Sequence, residues 1–223
     1  MNWPAIPTPS LRYDAMSHAT DLPAALDESD ALRADIYRLL GRLIAAPPDQ
    51  PLLDFLAGLE AEDDGAPLSQ SWQDLAHAAH AADSEALARA HFRHLIGVIQ
   101  GEVVPYASWY LHGTLMDEPV VAVRRDLRQL GLERDPEVKE PEDHLAALCD
   151  AMAWLIERAP AEQANFFTHH LASWGERCMR DLAAVDTPFY ASVGRLGLAY
   201  LAMEAERYDA ALSAVRIVDP APN

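Results

Sequence analysis

The chain is poor in bases, in cysteine and in long apolar runs, and each shortage removes a class of function. Seventeen Lys and Arg face 35 Asp and Glu, giving a formal charge of −18 over 223 residues. Both halves share the deficit, with 16 acids to 6 bases up to Gly113 and 19 to 11 beyond it. Such a surface repels a nucleic-acid backbone, whose binding requires clustered Lys and Arg to displace counterions, and it attracts a cationic peptide. The two cysteines, Cys149 and Cys178, sit in helical patterns without the spacing of a metal knuckle or a redox pair. They read as buried thiols in a reducing compartment. No apolar run approaches the roughly 18 residues of a membrane span, and the N-terminus lacks the charged start and apolar middle of a signal peptide. The expectation is a soluble, cytoplasmic protein without nucleic-acid partners or membrane spans.

Catalytic patterns are missing as well. Nine histidines include the close pairs His77/His80, His91/His94 and His169/His170, but there is no Glu-x-x-His for a di-metal bundle and no His-Glu-x-x-His for a zincin. They read as structural or surface histidines. No Gly-x-Ser-x-Gly elbow and no activated cysteine is present, and neither dinucleotide nor Walker phosphate loop occurs. The expectation is a protein that is not an enzyme and carries no metal or cofactor.

What the chain does have is half its residues hydrophobic, dominated by Ala and Leu, in long periodic segments. This predicts an all-α fold of eight to ten helices, enough chain for one large core or two small ones. Residues 1–27 are Pro-rich and aperiodic and read as a poorly ordered arm. Helices are expected from Asp30 to the Pro47-Pro48 stop, over "QPLLDFLAGL", over "SWQDLAHAAHAA" and over "DSEALARAHFRHLIG" with an Asp83 or Ser84 cap. A short helix is expected to open at Pro105, another to run from an Asp117 cap to a Gly131 stop. Pro141 is expected to open a further helix with acids in its first turn. Pro160 opens one long helix through "AEQANFFTHHLASWGERCMRDLAAV", and Thr187 with Pro188 opens the last. A break near 112–116 separates an N-terminal helical part, 28–113, from a C-terminal one, 117–218, which together form one domain.

Two stretches stand out. "GEVVPYASWYLHGTLMDEP" places Tyr106, Trp109 and Tyr110 at spacings that share a helix face. "EPEDH" crowds Glu140, Glu142 and Asp143 beside His144. Core packing explains the first and dipole compensation the second. Taken together they also describe an aromatic rim beside an acidic helix start, suited to a peptide with an apolar stretch and a basic end.

These motifs in this order, "PYASWYLHG", "EP" at Glu118-Pro119, "EPEDHLAALCDAM", "EQANFFTHHLASWGERCMRDL" and "FYASV", with the earlier "DIYRLLGRLIAAPP" and "FRHLIG", resemble the TorD/DmsD family over about residues 30–210. That family comprises cytoplasmic chaperones for molybdenum-containing oxidoreductases exported by the twin-arginine route. The resemblance implies the family's helical fold, with two parts joined near 112–118 that some members exchange between chains, so a monomer or a domain-swapped homodimer. It implies binding of the twin-arginine signal peptide, and of the apo-form, of a DMSO-reductase-type molybdoenzyme until cofactor insertion. Peptide-binding residues carried over are Pro105, Tyr106, Trp109 and Tyr110 from the first motif and Pro141, Glu142, Asp143 and His144 from the second. Glu142 and Asp143 would engage the peptide's arginines. Weak guanine-nucleotide binding is implied by the resemblance alone. One rival is a maturation scaffold for a non-exported catalytic subunit, as in nitrate-reductase chaperones; the other is a metal- or nucleotide-dependent helical enzyme.

Overall fold

Asp27 starts the first helix, its Oδ1 accepting from the Asp30 amide at 2.7 Å, which satisfies one of the free N–H groups of the first turn. This helix, α1 (Glu28–Ala45), buries Ile36, Leu39, Leu40, Leu43 and Ile44 on one stripe. It stops before Pro47-Pro48, because the residue preceding a proline is driven out of the helical region. In this computed structural model, which describes residues 11–13, 26–98 and 100–213, there follow α2 (Gln50–Ala57), α3 (Pro67–His80) and α4 (Ser84–His91). The chain then passes through a π-helical turn (Phe92–Ile96), α5 (Ala107–His112) and α6 (Glu118–Gln129). The second half contains α7 (Leu145–Arg158), α8 (Gln163–His170), α9 (Gly175–Ala183) and α10 (Pro188–Ser213).

The fold is all-α as expected, with one small addition. Leu11–Tyr13 (β1) pairs antiparallel with Leu132–Arg134 (β2), placing Arg12 opposite Glu133. These three residues of the expected arm therefore pair with the fold; residues 1–10 and 14–25 of it lie outside the described residues, as do 214–218 of the expected C-terminal part. The single long helix expected from Pro160 is in fact broken. A 3₁₀ turn (Pro160–Glu162) precedes α8, and Leu171–Trp174 separates α8 from α9. Trp174 drives the break: its indole is buried and its Nε1 donates to the His170 carbonyl at 2.7 Å, taking an acceptor that a continuing helix would use.

Packing joins the two halves. α1 lies along α7, and α10 lies along both α9 and α3, so a single core runs from Leu40 and Leu43 through Leu148 and Met152 to Leu196. A buried polar network ties α1 to α8 and α10. Arg33 donates to both carboxylate oxygens of Glu204 at 2.7 Å, to Gln163 at 3.0 Å and to the Tyr208 hydroxyl at 2.8 Å. Buried charge is tolerated here because every partner is present. Cys149 and Cys178 are free and buried, as expected. His91 and His94 are buried and bonded within the protein, His91 to the Ile44 carbonyl at 3.0 Å and His94 to Glu102 at 2.6 Å and Thr187 at 2.8 Å.

Close approach of α9 and α10 depends on Gly194. A Cβ there would overlap the backbone N of Ala183 and lie 2.7 Å from its Cα. Gly194→Ala should therefore cost about 1–3 kcal/mol, seen as a lower urea midpoint; a variant as stable as the parent would contradict the crossing.

Candidate functional site

The two motif segments run side by side. Tyr106 and His144 form an antiparallel bridge, with Ala107 N donating to the Asp143 carbonyl at 3.0 Å and Leu145 N to the Pro105 carbonyl at 2.8 Å. Because Tyr106 is engaged in this pairing it is extended, and α5 begins at Ala107 rather than at Pro105. For the same reason α7 begins at Leu145, not Pro141. Its cap is His144, whose Nδ1 accepts from Ala146 N at 3.2 Å. Glu142 and Asp143 thus precede the helix, and dipole compensation in a first turn is not their role.

Asp143 is only 1% exposed. Its Oδ2 accepts from Ser108 N at 2.9 Å and from Ser108 Oγ at 2.5 Å, capping α5 from across the chain. Ser108 Oγ in turn accepts from Asp117 N at 3.3 Å. Asp117 fastens the loop after α5: its carboxylate accepts from Glu118 N at 2.7 Å and Thr114 Oγ1 at 3.1 Å, and pairs with His112 Nδ1 at 3.1 Å. Those bonds, the Glu118 amide first, lower the Asp117 pKa. Gly113 (φ 76°) closes α5 in the left-handed region, and Met116 (φ 60°) adopts it without a glycine's freedom, at a cost of order 1 kcal/mol.

Glu142 is buried also. Its carboxylate accepts from Arg124 Nε at 2.9 Å and Nη2 at 2.7 Å, a bidentate pair. Burial works to raise its pKa, but the Arg124 bonds and the charges of Arg124 and Arg134 outweigh it, and the net direction is down. The aromatic trio divides. Tyr106 stands edge-on to His144 with ring centres 4.8 Å apart and donates its hydroxyl to Glu140. Tyr110 stacks on Trp174 at 5.6 Å, donates to Asp181 at 2.6 Å and lies beneath the Arg177 guanidinium. Trp109 and Pro141 are half-buried and Pro105 is buried. The structure brings the 105–106 and 141–144 segments together but turns Tyr110 away toward α9. Glu142 and Asp143 already hold internal partners, so direct capture of a peptide's arginines by these two carboxylates requires breaking the Arg124 and Ser108 contacts.

The scaffold also presents apolar side chains to water. Leu115 (51% exposed), Met116 (62%), Leu111 and Val121 project into solvent around the α5–α6 corner. Beside them a groove of about 300 Å³ runs between α5, α6 and α8, lined by Leu111, Pro119, Ala122 and Val123 with Glu118 and His169. The signal lay in "GTLMDE", where two large apolar residues occupy an interhelical loop. His170, on the groove wall, pairs with Asp126 at 2.8 Å. Burial depresses its pKa more than Asp126 restores it. Among the described residues no group of three or more His, Cys, Asp or Glu is placed to hold a metal ion.

Known proteins are similar to this chain in sequence and in helical fold. Residues 61–180 match the family model of the nitrate reductase delta subunit. The chain is 28% identical to the chaperone protein TorD of Shewanella pealeana, over 82% of this chain and 93% of that one. It is 30% identical to the Tat proofreading chaperone DmsD of Salmonella typhi, over 53% of this chain and 60% of that one. A crystal structure described as a redox enzyme maturation protein from Archaeoglobus fulgidus superposes with a TM-score of 0.54 at 15% identity, covering 83% of this chain and 99% of that one; this likeness bears on the fold alone. The chain belongs to the TorD/DmsD family.

Two predictions follow from the geometry. Asp143→Ala leaves Ser108 N–H and Oγ–H without their buried acceptor and should cost about 2–3 kcal/mol, measured as a urea midpoint shift at constant slope; a loss below about 0.5 kcal/mol would mean that the cap contributes little. The second concerns His144, whose pKa burial pushes down to about 4 against the opposing Glu140 charge. The unfolded chain takes up this proton near pH 6.5 and the folded one does not. Stability from the neutral ring is therefore full above about pH 6.5 and declines as pH falls toward 4, by about 3 kcal/mol in all. His144→Asn, which retains a capping oxygen, should flatten that part of the pH–stability curve; identical curves would exclude His144 as its source.

Proposed function

We propose that this protein is a redox-enzyme maturation chaperone that binds the twin-arginine signal peptide of a DMSO-reductase-type molybdoenzyme in the cytoplasm. It holds the apo-form until cofactor insertion and so prevents early export. The family supports the chaperone role. The observation that carries the peptide reading is the set of exposed apolar side chains, Leu111, Leu115, Met116 and Val121, around a groove in a chain of charge −18. Apolar contact with the peptide's hydrophobic stretch supplies affinity, while the acidic surface and Glu118 at the rim favour its basic end. Asp143, through Ser108 and Asp117, positions the loop that carries Leu115 and Met116. The mechanism is reversible capture without covalent chemistry.

Isothermal titration with a twin-arginine peptide tests this. Leu115→Asp with Met116→Asp should weaken binding about tenfold or more while thermal unfolding stays unchanged, since both side chains are solvent-facing. Equal affinity for a twin-lysine peptide would remove arginine selection from recognition. No binding to either peptide would end the proposal.

A second reading is favoured by the match to the nitrate reductase delta subunit: maturation of a catalytic subunit that is not exported. Affinity capture from the native host decides between them, a client bearing a signal peptide supporting the first and a mature subunit lacking one the second.

A further inference from the structure

The Glu142 carboxylate that the sequence assigned to a peptide's arginine lies at the wall of a cationic pocket. This pocket, about 160 Å³ between α6 and β2, is lined by Arg124, Arg128 and Arg134 with Glu133, Glu142 and the apolar Leu127 and Leu132. In a chain with 17 bases among 223 residues, residues 124–134 hold four arginines, a local reversal of an otherwise acidic molecule. The charges do not cancel. Arg124, Arg128 and Arg134 contribute three positive charges against the two negative ones of Glu133 and Glu142, leaving one. Glu133 is exposed, so water and salt screen its charge more than that of the buried Glu142.

The donors are only partly used. Arg124 gives Nε and Nη2 to Glu142. Arg134 gives Nη1 to the Val138 carbonyl, while its Nε, 3.6 Å from Glu142 Oε1, makes no hydrogen bond. Arg128, exposed on the next turn of α6 from Arg124, has no partner among the described residues. Guanidinium groups arranged this way offer planar forks to a tetrahedral oxyanion.

We infer that the α6–β2 pocket is an oxyanion site that takes a phosphate group, either the free ion or the phosphate of a small monoester. The excess of positive charge and the unused donors of Arg128 and Arg134 favour an anion with several acceptor oxygens. A carboxylate offers two such oxygens and a phosphate three, so the phosphate engages more of these donors. The volume corresponds to about five waters, room for the phosphate group with part of its shell; it falls below the roughly 300 Å³ at which small-molecule pockets begin, so the remainder of an ester stays outside. Glu142 holds Arg124 in place and keeps the empty pocket from carrying the full repulsion of three like charges. The site is independent of the peptide-binding corner.

Isothermal titration of the full chain with inorganic phosphate, in low-chloride amine buffer, tests it. Saturable binding is expected, weakening with added salt and falling about tenfold in Arg128→Ala, whose exposed side chain is dispensable for folding. Arg89→Ala, on α4 and far outside the pocket, should bind as the parent does. Glycerol phosphate separates the two sources: affinity equal to or above that of inorganic phosphate identifies the ester, and weaker binding identifies the free ion. Absence of saturable binding, or binding undiminished in Arg128→Ala, overturns the inference. So does tighter binding of an oligoglutamate peptide, which would make the pocket a carboxylate site.

Discussion

Ser108 Oγ stands between two acidic residues, donating to the Asp143 carboxylate and accepting from the Asp117 amide. Remove that hydroxyl and three things lose their reference point: the start of α5, the approach of the 141–145 segment, and the loop that carries Leu115 and Met116. In a buried setting a charge-assisted hydrogen bond of this kind is among the stronger single interactions available. The cost it offsets is visible nearby, in a left-handed Met116 and in large apolar side chains held toward water. The two motifs are thus one support. The second motif holds the first, and the first holds the exposed corner.

Much of the fold was legible because its cues are local. Asp27, Asp49, Asp83 and Asp117 all cap helices as side-chain acceptors, and a short acceptor before an apolar-periodic run is a signal that needs no tertiary information. Pro47-Pro48 and Gly131 mark boundaries in the same way. The failures share a cause: a tertiary contact overrode the local cue. Pro105 and Pro141 look like helix openings, but the chain pairs at Tyr106 and His144 before either helix begins. The helix from Pro160 reads as continuous until Trp174 is buried and claims the His170 carbonyl.

The candidate site followed the same rule. Residue types and segments were visible, partners were not. Glu142 and Asp143 advertise negative charge in sequence, and nothing in "EPEDH" says that Arg124 and Ser108, 18 and 35 residues away, already hold them. Tyr106 and Tyr110 share a helical face only if both lie in a helix, and Tyr106 precedes it. Ser108 was invisible, since a serine in an aromatic cluster carries no mark of its bridging position. Leu115 and Met116 could have been noticed, because loops seldom expose two large apolar residues in succession without a use for them.

The pairing of α1 with α7, and of α3 with α10, has a consequence for the order in which the molecule is made. Each partner emerges from the ribosome roughly a hundred residues after the helix it covers. Until then the apolar stripes of the N-terminal helices have nothing to close on, and contacts so distant in sequence form late and slowly. The chain therefore passes through an unsheltered interval of its own, ended only when the last helix arrives. Loss of α10 would extend that interval indefinitely, leaving the faces of α3 and α9 that it covers exposed together.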